Sequence, residues 1–436
     1  MADPTIVIEK LAFGGNGVCR INGKVCFVPF SCPGDEVRLV VTSEKKSYLS
    51  ARIAELITPS PHRVPPPCPL FGRCGGCFWQ HMDYSQQLAA KQKILAEALR
   101  RGARVDGACV LPALPSRLQY GYRSRVQFKV QSAGDQLRIG FYQHGSHRIE
   151  DLPQGCPIAK PLINQALCRL RTALETCPDK DSITGIRIDC TEQQVVAVLT
   201  GIGRNKRTDQ YFQERRSHLL PVTGLYLQAS PSSSLQKIYG DDELEYSVSS
   251  PVQDAAPCRL SYRPGGFAQV NRDQNGALLA LVRRFGCFQT DQHILDLYCG
   301  NGNISLPIAG EVCRITGVED SKISIDSARR NMLLNGIDNA DFICDDAIVA
   351  ARRYADSGHR YDCILLDPPR AGASGVIPEI SRLNPAKIIY VSCDPSTLAR
   401  DCALLSGYGY RVSESVPLDM FPQTYHLESV TLLVKS

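Results

Sequence analysis

The run His293-Ile294-Leu295-Asp296-Leu297-Tyr298-Cys299-Gly300-Asn301-Gly302-Asn303 passes from a strand-like apolar segment straight into two glycines at i and i+2. That pattern suits a tight strand-to-helix turn whose backbone N–H groups can approach a ligand closely. Outward from it, strand-like runs at 314–318, 340–343, 361–366 and 387–392 alternate with helical stretches at 271–285, 321–335 and 395–406. Apolar runs interleaved with helices imply a parallel sheet covered on both faces, with functional loops at the carboxyl ends of its strands. Residues 261–436 are therefore expected to form one Rossmann-like α/β domain.

Those strand ends carry the chemistry. Glu319 closes the second strand 23 residues after Asp296, where an acid can bond ribose hydroxyls, and Asp346 follows the third, where a carboxylate can meet an adenine amino group. The glycine spacing is not the full dinucleotide fingerprint, so a mononucleoside ligand such as S-adenosylmethionine fits better. The fourth strand ends in Asp367-Pro368-Pro369-Arg370, where two prolines fix the position of the acid. The fifth ends in Val391-Ser392-Cys393-Asp394-Pro395. Pro395 is pre-set for a first helical turn, and a thiol near a helix N-terminus has its thiolate favoured by the dipole, as a reactive cysteine requires. Phe421-Pro422-Gln423-Thr424-Tyr425-His426-Leu427-Glu428-Ser429 then precedes a terminal strand expected at 430–434. Its spacing alone assigns no role to His426 or Glu428.

The 436 residues, 21% charged and 43% hydrophobic, exclude a disordered polyelectrolyte or a collagen-like fibre and suit about three domains. Residues 1–58 show short β-branched runs punctuated by glycine, a small TRAM- or OB-like β-barrel pattern, before the proline-dense stretch 59–67. Residues 59–260 read as α+β, with a helix at about 84–101. This middle segment holds fourteen Lys and Arg against six acids between residues 59 and 160, a local basic excess in a chain of formal charge +5. An anionic partner is the expectation. No apolar run approaches the roughly 18 residues of a membrane span, and the N-terminus lacks the features of a secretory leader. A soluble cytoplasmic protein without membrane contact is expected.

The 19 cysteines are an odd number scattered through a long chain, which points to reduced thiols plus a metal or cluster site. Cys68, Cys74 and Cys77 lie within ten residues around Gly75-Gly76, with Cys156 in a later Gly-Cys-Pro turn. Four thiolates serve either tetrahedral zinc or an iron–sulfur cluster. The asymmetric spacing is not that of a zinc ribbon and leaves both open.

Taken together, Cys-x5-Cys-x2-Cys, Gly266-Phe267-Ala268-Gln269-Val270-Asn271, Asp-Pro-Pro-Arg, Ser-Cys-x-Pro and Phe-Pro-x-Thr-x-His-x-Glu resemble the RNA uracil-C5 methyltransferase family, over essentially the whole chain. The resemblance is to its iron–sulfur-containing 23S ribosomal RNA branch with an N-terminal TRAM domain. It implies S-adenosylmethionine contacts by Gln269, Tyr298, Asn303, Glu319, Asp346 and Asp367. It implies Cys393 as nucleophile, Glu428 as base, and a 4Fe–4S cluster held by Cys68, Cys74, Cys77 and Cys156. The implied product is 5-methyluridine, the implied partner 23S ribosomal RNA and the implied state a monomer. Phe267, beside Gln269, is a candidate to stack on a flipped-out base.

One residue departs from the pattern: Asp394 stands where the family usually has Asn, and an ionised carboxylate turned toward Cys393 would raise the thiol pKa. Two other methylation chemistries fit less well. Base-amino methylation expects an aromatic in place of Arg370 and no cysteine nucleophile, and cytosine-C5 methylation lacks the Phe-Pro-x-Thr-x-His-x-Glu ending. A transfer-RNA substrate and a catalytically inactive cluster-bearing RNA-binding factor are the alternatives for the whole chain.

Overall fold

A computed structural model describes residues 5–134, 136–248 and 257–436. Its N-terminal unit is a six-stranded sheet built from β1 (Ile6–Val7), β2 (Lys10–Leu11), β3 (Gly17–Ile21), β4 (Lys24–Val28), β5 (Glu36–Glu44) and β6 (Tyr48–Thr58). One bent segment closes it, because β1 pairs with β5 while β2, three residues on, pairs with β3 at the opposite edge. Closure removes the free edges that an open sheet this small would expose. Ile8, Cys19, Cys26, Val28, Val37 and Leu49 fill the interior. The linker that follows is tied down: Arg63 grips the buried Asp35 carboxylate at 2.7 Å through both Nε and Nη2.

The long helix α1 (Tyr84–Ala103) starts at Asp83, whose side chain accepts from Gln86 N, and buries Ile94, Leu95 and Leu99. It lies against α9 (Pro395–Gly407), so closely that a Cβ on Gly102 would stand 2.7 Å from the Ala399 methyl. The apolar spacing seen in sequence thus serves packing on the C-terminal unit.

The middle unit is a second seven-stranded sheet, in the order β13-β12-β11-β10-β7-β8-β9. Its strands are β7 (Arg125–Ala133), β8 (Gln136–Tyr142), β9 (Ile149–Asp151), β10 (Gly185–Cys190), β11 (Val195–Thr200), β12 (Gly224–Gln228) and β13 (Gln236–Tyr239), and α2 (Pro161–Glu175) and α3 (Lys206–Glu214) accompany them. The apolar run 183–199 folds as the β10–β11 hairpin, turned where Thr191 N donates to Gln194 O. Ile163, Leu167, Leu170 and Leu174 of α2 cover one sheet face together with Phe128, Ile186 and Ile188. The opposite face presents Arg125, Gln127 and Lys129 of β7, with Arg187 and Asp189 of β10 paired beside them.

A short hairpin, β14 (Leu244–Val248) and β15 (Cys258–Tyr262), leads into α4 (Arg272–Gly286), capped by Asn271. The C-terminal sheet follows with β16 (His293–Leu297), β17 (Arg314–Glu319), β18 (Ala340–Cys344), β19 (Cys363–Leu366), β20 (Lys387–Ser392), β21 (Tyr410–Leu418) and β22 (Glu428–Lys435). Between them run α5 (Ser305–Ile308), α6 (Lys322–Leu334), α7 (Ala347–Asp356), α8 (Ile377–Leu383) and α9. Successive strand residues alternate between two cores. Leu295, Ile364 and Ile388 face α1 and α7–α9, whereas Ile294, Leu365 and Ile389 face α4.

The sheet order is β18-β17-β16-β19-β20-β22-β21. The first five strands are parallel as expected, and the last chain segment inserts antiparallel between β20 and β21. The terminal strand therefore begins at Glu428, two residues earlier than its β-branched composition suggests, because the ladder with β20 recruits Ser429 and the ladder with β21 recruits Glu428. No helix of the described residues is long and apolar enough to cross a membrane.

Candidate functional site

A cleft of about 670 Å3 opens at the carboxyl ends of the parallel strands. Of the twelve side chains singled out in sequence, Gln269, Tyr298, Asn303, Glu319, Asp367, Cys393 and Glu428 line it. Strand register explains the last pair. Ser392 of β20 faces Ser429 of β22, so Cys393, one step beyond, comes level with Glu428, one step back. Two residues 35 positions apart in sequence meet because one strand runs against the other.

The turn after β16 is shaped for close approach. Tyr298 adopts φ +67°, rare for a bulky residue, and Gly300 and Gly302 follow at +57° and +83°. Tyr298 N and Cys299 N both donate to Val318 O, which folds the turn back over β17. A Cβ on Gly317 would fall 2.6 Å from the Phe342 ring, so only glycine fits beneath the turn. Glu319 spans this cradle, accepting from Gly300 N at 3.3 Å and Ser321 N at 3.0 Å. Asn303 is clamped by a reciprocal amide pair with Asn275 of α4, each bond 2.8 Å.

Asp346 is a different case: it is not among the residues lining the cleft. Its carboxylate caps α7, accepting from Ile348 N at 2.8 Å and Val349 N at 3.0 Å. Its charge nevertheless reaches Tyr298, whose phenol is pushed up to about 12 by burial and then by Asp346.

The floor of the cleft is acidic and dry. Burial, followed by the charge of Glu319, pushes Asp367 up to about 7. Asp296, which carried no assigned role in the sequence reading, is fully enclosed. Burial pushes it up to about 7 against a hydrogen bond from Ser305, and its Oδ1 has no partner among the described residues. Glu428 is raised well above the ordinary carboxyl range by burial and by Asp367. Two cations also line the cleft: Arg370 is exposed, and Arg123, from the middle unit, stacks 5.7 Å from the Phe421 ring. His426 is held neutral, lowered to about 4 by burial and then by Arg370.

Cys393 departs from the sequence expectation. Burial, then Glu428 and Asp367, push its thiol up to about 11, with only Arg370 among the side chains working the other way. Burial and these two carboxyl groups outweigh the helix dipole, while Asp394 caps the N-terminus of α9, accepting from Ser396 N at 2.8 Å and Thr397 N at 3.1 Å. That engagement also disposes of the concern about Asp394, whose carboxylate is spent on the helix and is not among the charges that perturb the thiol.

The four cysteines Cys68, Cys74, Cys77 and Cys156 lie on two separate segments, near enough for their charges to act on one another. All are unpaired thiols. Cys77 is pushed up to about 12 by burial and then by Cys156, with Cys74 and Cys68 adding to it. Cys74 is pushed up to about 11 by burial, with Gly76 N donating to its Sγ at 3.4 Å. Among the described residues, no group of three or more His, Cys, Asp or Glu side chains is gathered tightly enough to hold a metal ion. The cysteine loop also braces the segment before Glu428. Phe78 N and Trp79 N both donate to Gln423 O, at 3.0 and 3.1 Å, and Gln87 exchanges two 3.0 Å bonds with Gln423.

Comparison with known proteins agrees with this arrangement. The profile of the family described as tRNA (Uracil-5-)-methyltransferase matches residues 83–436, and that of the TRAM domain of tRNA (uracil(54)-C(5))-methyltransferase matches residues 5–62. An uncharacterised RNA methyltransferase of Thermosynechococcus vestitus is 34% identical, over 98% of this chain and 97% of its own. The 23S rRNA (uracil(1939)-C(5))-methyltransferase RlmD of Pectobacterium atrosepticum is 33% identical over 99% of this chain and 93% of its own. The crystal structure of Pyrococcus abyssi tRNA (uracil-54, C5)-methyltransferase in complex with S-adenosyl-L-homocysteine superposes with a TM-score of 0.76 at 25% identity, covering 99% of this chain and all of that one. With a methyltransferase profile spanning four-fifths of its length and a TRAM profile ahead of it, the chain belongs to the tRNA (uracil-5-)-methyltransferase family.

Proposed function

We propose that this protein methylates C5 of a uridine in RNA, 23S ribosomal RNA in particular, giving 5-methyluridine. The observation that carries the reading is the register of β20 against β22, which brings a thiol and a carboxyl level with each other in the cleft at the strand ends. Bound S-adenosylmethionine would supply an electrophilic sulfonium methyl group. Gln269, Tyr298, Asn303, Glu319 and Asp367 are the residues to hold it, and the acidic floor suits a cation. Asp346 supports that site from behind, through Tyr298 and the start of α7.

C5 of uracil is a weak nucleophile. The Cys393 thiol gives its proton to solvent and its sulfur attacks C6, the C5=C6 electrons passing into an enolate whose C5 then takes the methyl group, with S-adenosylhomocysteine as the leaving group. Glu428 removes the C5 proton. That electron pair re-forms the C5=C6 double bond and expels the Cys393 thiolate. Burial and Asp367 raise the proton affinity of Glu428, which makes it a strong base in its ionised form and requires it to give up its own proton before that step. Phe267, 60% exposed at the cleft, is placed to stack on a uridine turned out of its helix.

The same reading assigns Cys68, Cys74, Cys77 and Cys156 to a 4Fe–4S cluster rather than zinc. The support is the donor set: four unpaired thiols from two segments, with Cys74 and Cys77 raised in proton affinity by burial and then by the neighbouring thiols, a cost that cationic iron would relieve. Iron and sulfide analysis of anaerobically purified protein checks it.

The test of the function is methyl transfer from labelled S-adenosylmethionine to unmodified 23S ribosomal RNA and to transfer RNA in separate reactions, followed by nucleoside analysis. Label in 5-methyluridine from ribosomal RNA is the expected result. Label from transfer RNA alone would keep the chemistry and overturn the substrate, and label in neither would leave an RNA-binding protein without activity.

A further inference from the structure

The contact between the middle sheet and the C-terminal unit encloses an excess of positive charge. Arg125 and Arg187, on the β7–β10 face, share one carboxylate there, Asp189, which is fully buried, and Arg272, at the start of α4, lies beside them on the next residue's carbonyl. Arg125 hydrogen-bonds Asp189 and lies over the Tyr262 ring at 5.2 Å. Arg272 lies over the Tyr246 ring at 4.3 Å and donates to Cys190 O at 3.3 Å. Arg187 has the poorest arrangement. Its Nε stands 3.4 Å from Asp189 without hydrogen-bond geometry, and it makes no hydrogen bond among the described residues. Arg125 Nη2, Arg187 Nε and Nη2, and Arg272 Nε and Nη1 are all buried without a partner among the described residues.

Two guanidiniums share one carboxylate whose Oδ2 is itself without a hydrogen-bond partner, and a third beside them has no acid partner among the described residues, which leaves a net positive charge that a folded protein ordinarily avoids. Burial and the neighbouring Arg125 both oppose the charge on Arg187. Stacking on the tyrosine rings offsets part of that cost but satisfies none of the orphan donors. A bound anion would satisfy both charge and donors, and guanidinium forks match phosphate oxygens.

The position is specific as well. Arg187 keeps 21% of its side chain exposed. A Cβ on Gly265 would lie 3.5 Å from Arg187 Nη2, so the guanidinium packs under the loop that carries Phe267 and Gln269 into the cleft. Two residues before Arg125, Arg123 lines that same cleft. The cluster is thus the cationic ground beside the point where a strand would turn a nucleotide inward.

We propose that Arg187, backed by Arg125 and Arg272, seats a backbone phosphodiester of the RNA strand flanking the target uridine. The site fixes where the strand leaves the surface, so that the base beyond it falls on Phe267 and Cys393. It rests on the RNA-methylation reading only for the identity of the strand, since the anion site itself follows from the guanidinium cluster.

The experiment compares wild type, Arg187→Gln and Arg187→Lys for binding of in-vitro-transcribed, unmodified 23S ribosomal RNA across a salt series, and for labelled methyl transfer. Loss of one phosphate contact lowers the slope of log affinity against log salt by about 0.7 to 0.9. Arg187→Gln is expected to show that loss with roughly tenfold weaker binding at low salt and a matching rise in KM for RNA. S-adenosylmethionine affinity and kcat at saturating RNA should be unchanged. Arg187→Lys, which keeps the charge and loses the fork, should recover the slope and part of the affinity. An unchanged slope in Arg187→Gln overturns the site, including the case where the melting temperature falls, which would make Arg187 a brace for Asp189 only. Wild-type protein that binds RNA with a normal slope and transfers no methyl group would overturn the function and leave the phosphate site standing.

Discussion

Cys393 is asked to be a nucleophile in surroundings that hold it as a thiol. Burial, Glu428 and Asp367 put its pKa at about 11, and Arg370 is the one side chain that pulls it down. Below that value the thiolate fraction rises tenfold per pH unit. If the free thiol limits the reaction, kcat/KM for RNA should climb steadily from about pH 7 to about pH 9 instead of reaching a plateau near neutrality. Arg370→Gln removes the opposing charge, so its thiol pKa rises and its profile moves to higher pH, with a several-fold loss at neutral pH. Single-turnover methyl transfer across that range checks both, and a flat wild-type profile would show that the thiol ionises by a route the cleft's charges do not reveal. The sequence announced Cys393, since a cysteine at a strand end before Asp-Pro is conspicuous. It did not announce the thiol's pKa, because Glu428 and Asp367 arrive from strands whose order no local pattern encodes. Asp394 shows the same limit from the other side. Beside the nucleophile in sequence, it is turned to the helix in structure.

Among the elements, the parallel strands and their flanking helices were legible because each is a short apolar run or a periodic stretch with its own cap. His293–Leu297 and Lys387–Ser392 match their expected bounds. The insertion of β22 between β20 and β21 was not legible, since antiparallel pairing at long range depends on register rather than composition. Helices α7 and α8 also escaped the reading: α8 is only seven residues long, and the buried face of α7, at helical spacing, is made mostly of alanines, Ala347, Ala350 and Ala351 with Tyr354, which stand out little as an apolar stripe. The start of α4 shows how much one cap can hold. Asn271 accepts from Gln274 N at 3.4 Å and donates to Ser116 Oγ at 3.1 Å and to Met420 O at 3.2 Å, joining three parts of the chain at one buried amide. Asn271→Ala removes the cap and leaves buried partners unpaired, a loss of about 2 to 3 kcal/mol. Urea unfolding should show a lower midpoint with an unchanged m-value, whereas a change below about 0.5 kcal/mol would mean the amide is dispensable.

For the molecule as a whole, the segment 419–428 is where the units converge. Lys91 of α1, fully enclosed, pairs with Asp419 and donates to Phe421 O at 3.1 Å, Tyr122 of the middle unit donates to Pro422 O at 3.0 Å, and the cysteine loop holds Gln423. The barrel reaches the same place through Phe13, whose ring meets Tyr425 edge-on at 6.0 Å. The segment that leads to Glu428 is therefore held in place by all three parts of the chain, which is why Phe-Pro-x-Thr-x-His-x-Glu reads as a motif and yet cannot be explained from its own spacing. Charge is divided at this scale too, with carboxyl groups on the floor where a sulfonium would lie and arginines where phosphates would pass. The central claim is the division of labour between Cys393 and Glu428. It is tested most directly by incubating Glu428→Gln with unmodified 23S ribosomal RNA and S-adenosylmethionine and analysing the denatured mixture by gel shift and mass spectrometry. The account predicts a denaturant-stable adduct in which Cys393 is bonded to a methylated uridine that cannot lose its C5 proton. Free 5-methyluridine-containing RNA, released at the wild-type rate with no adduct, would contradict it.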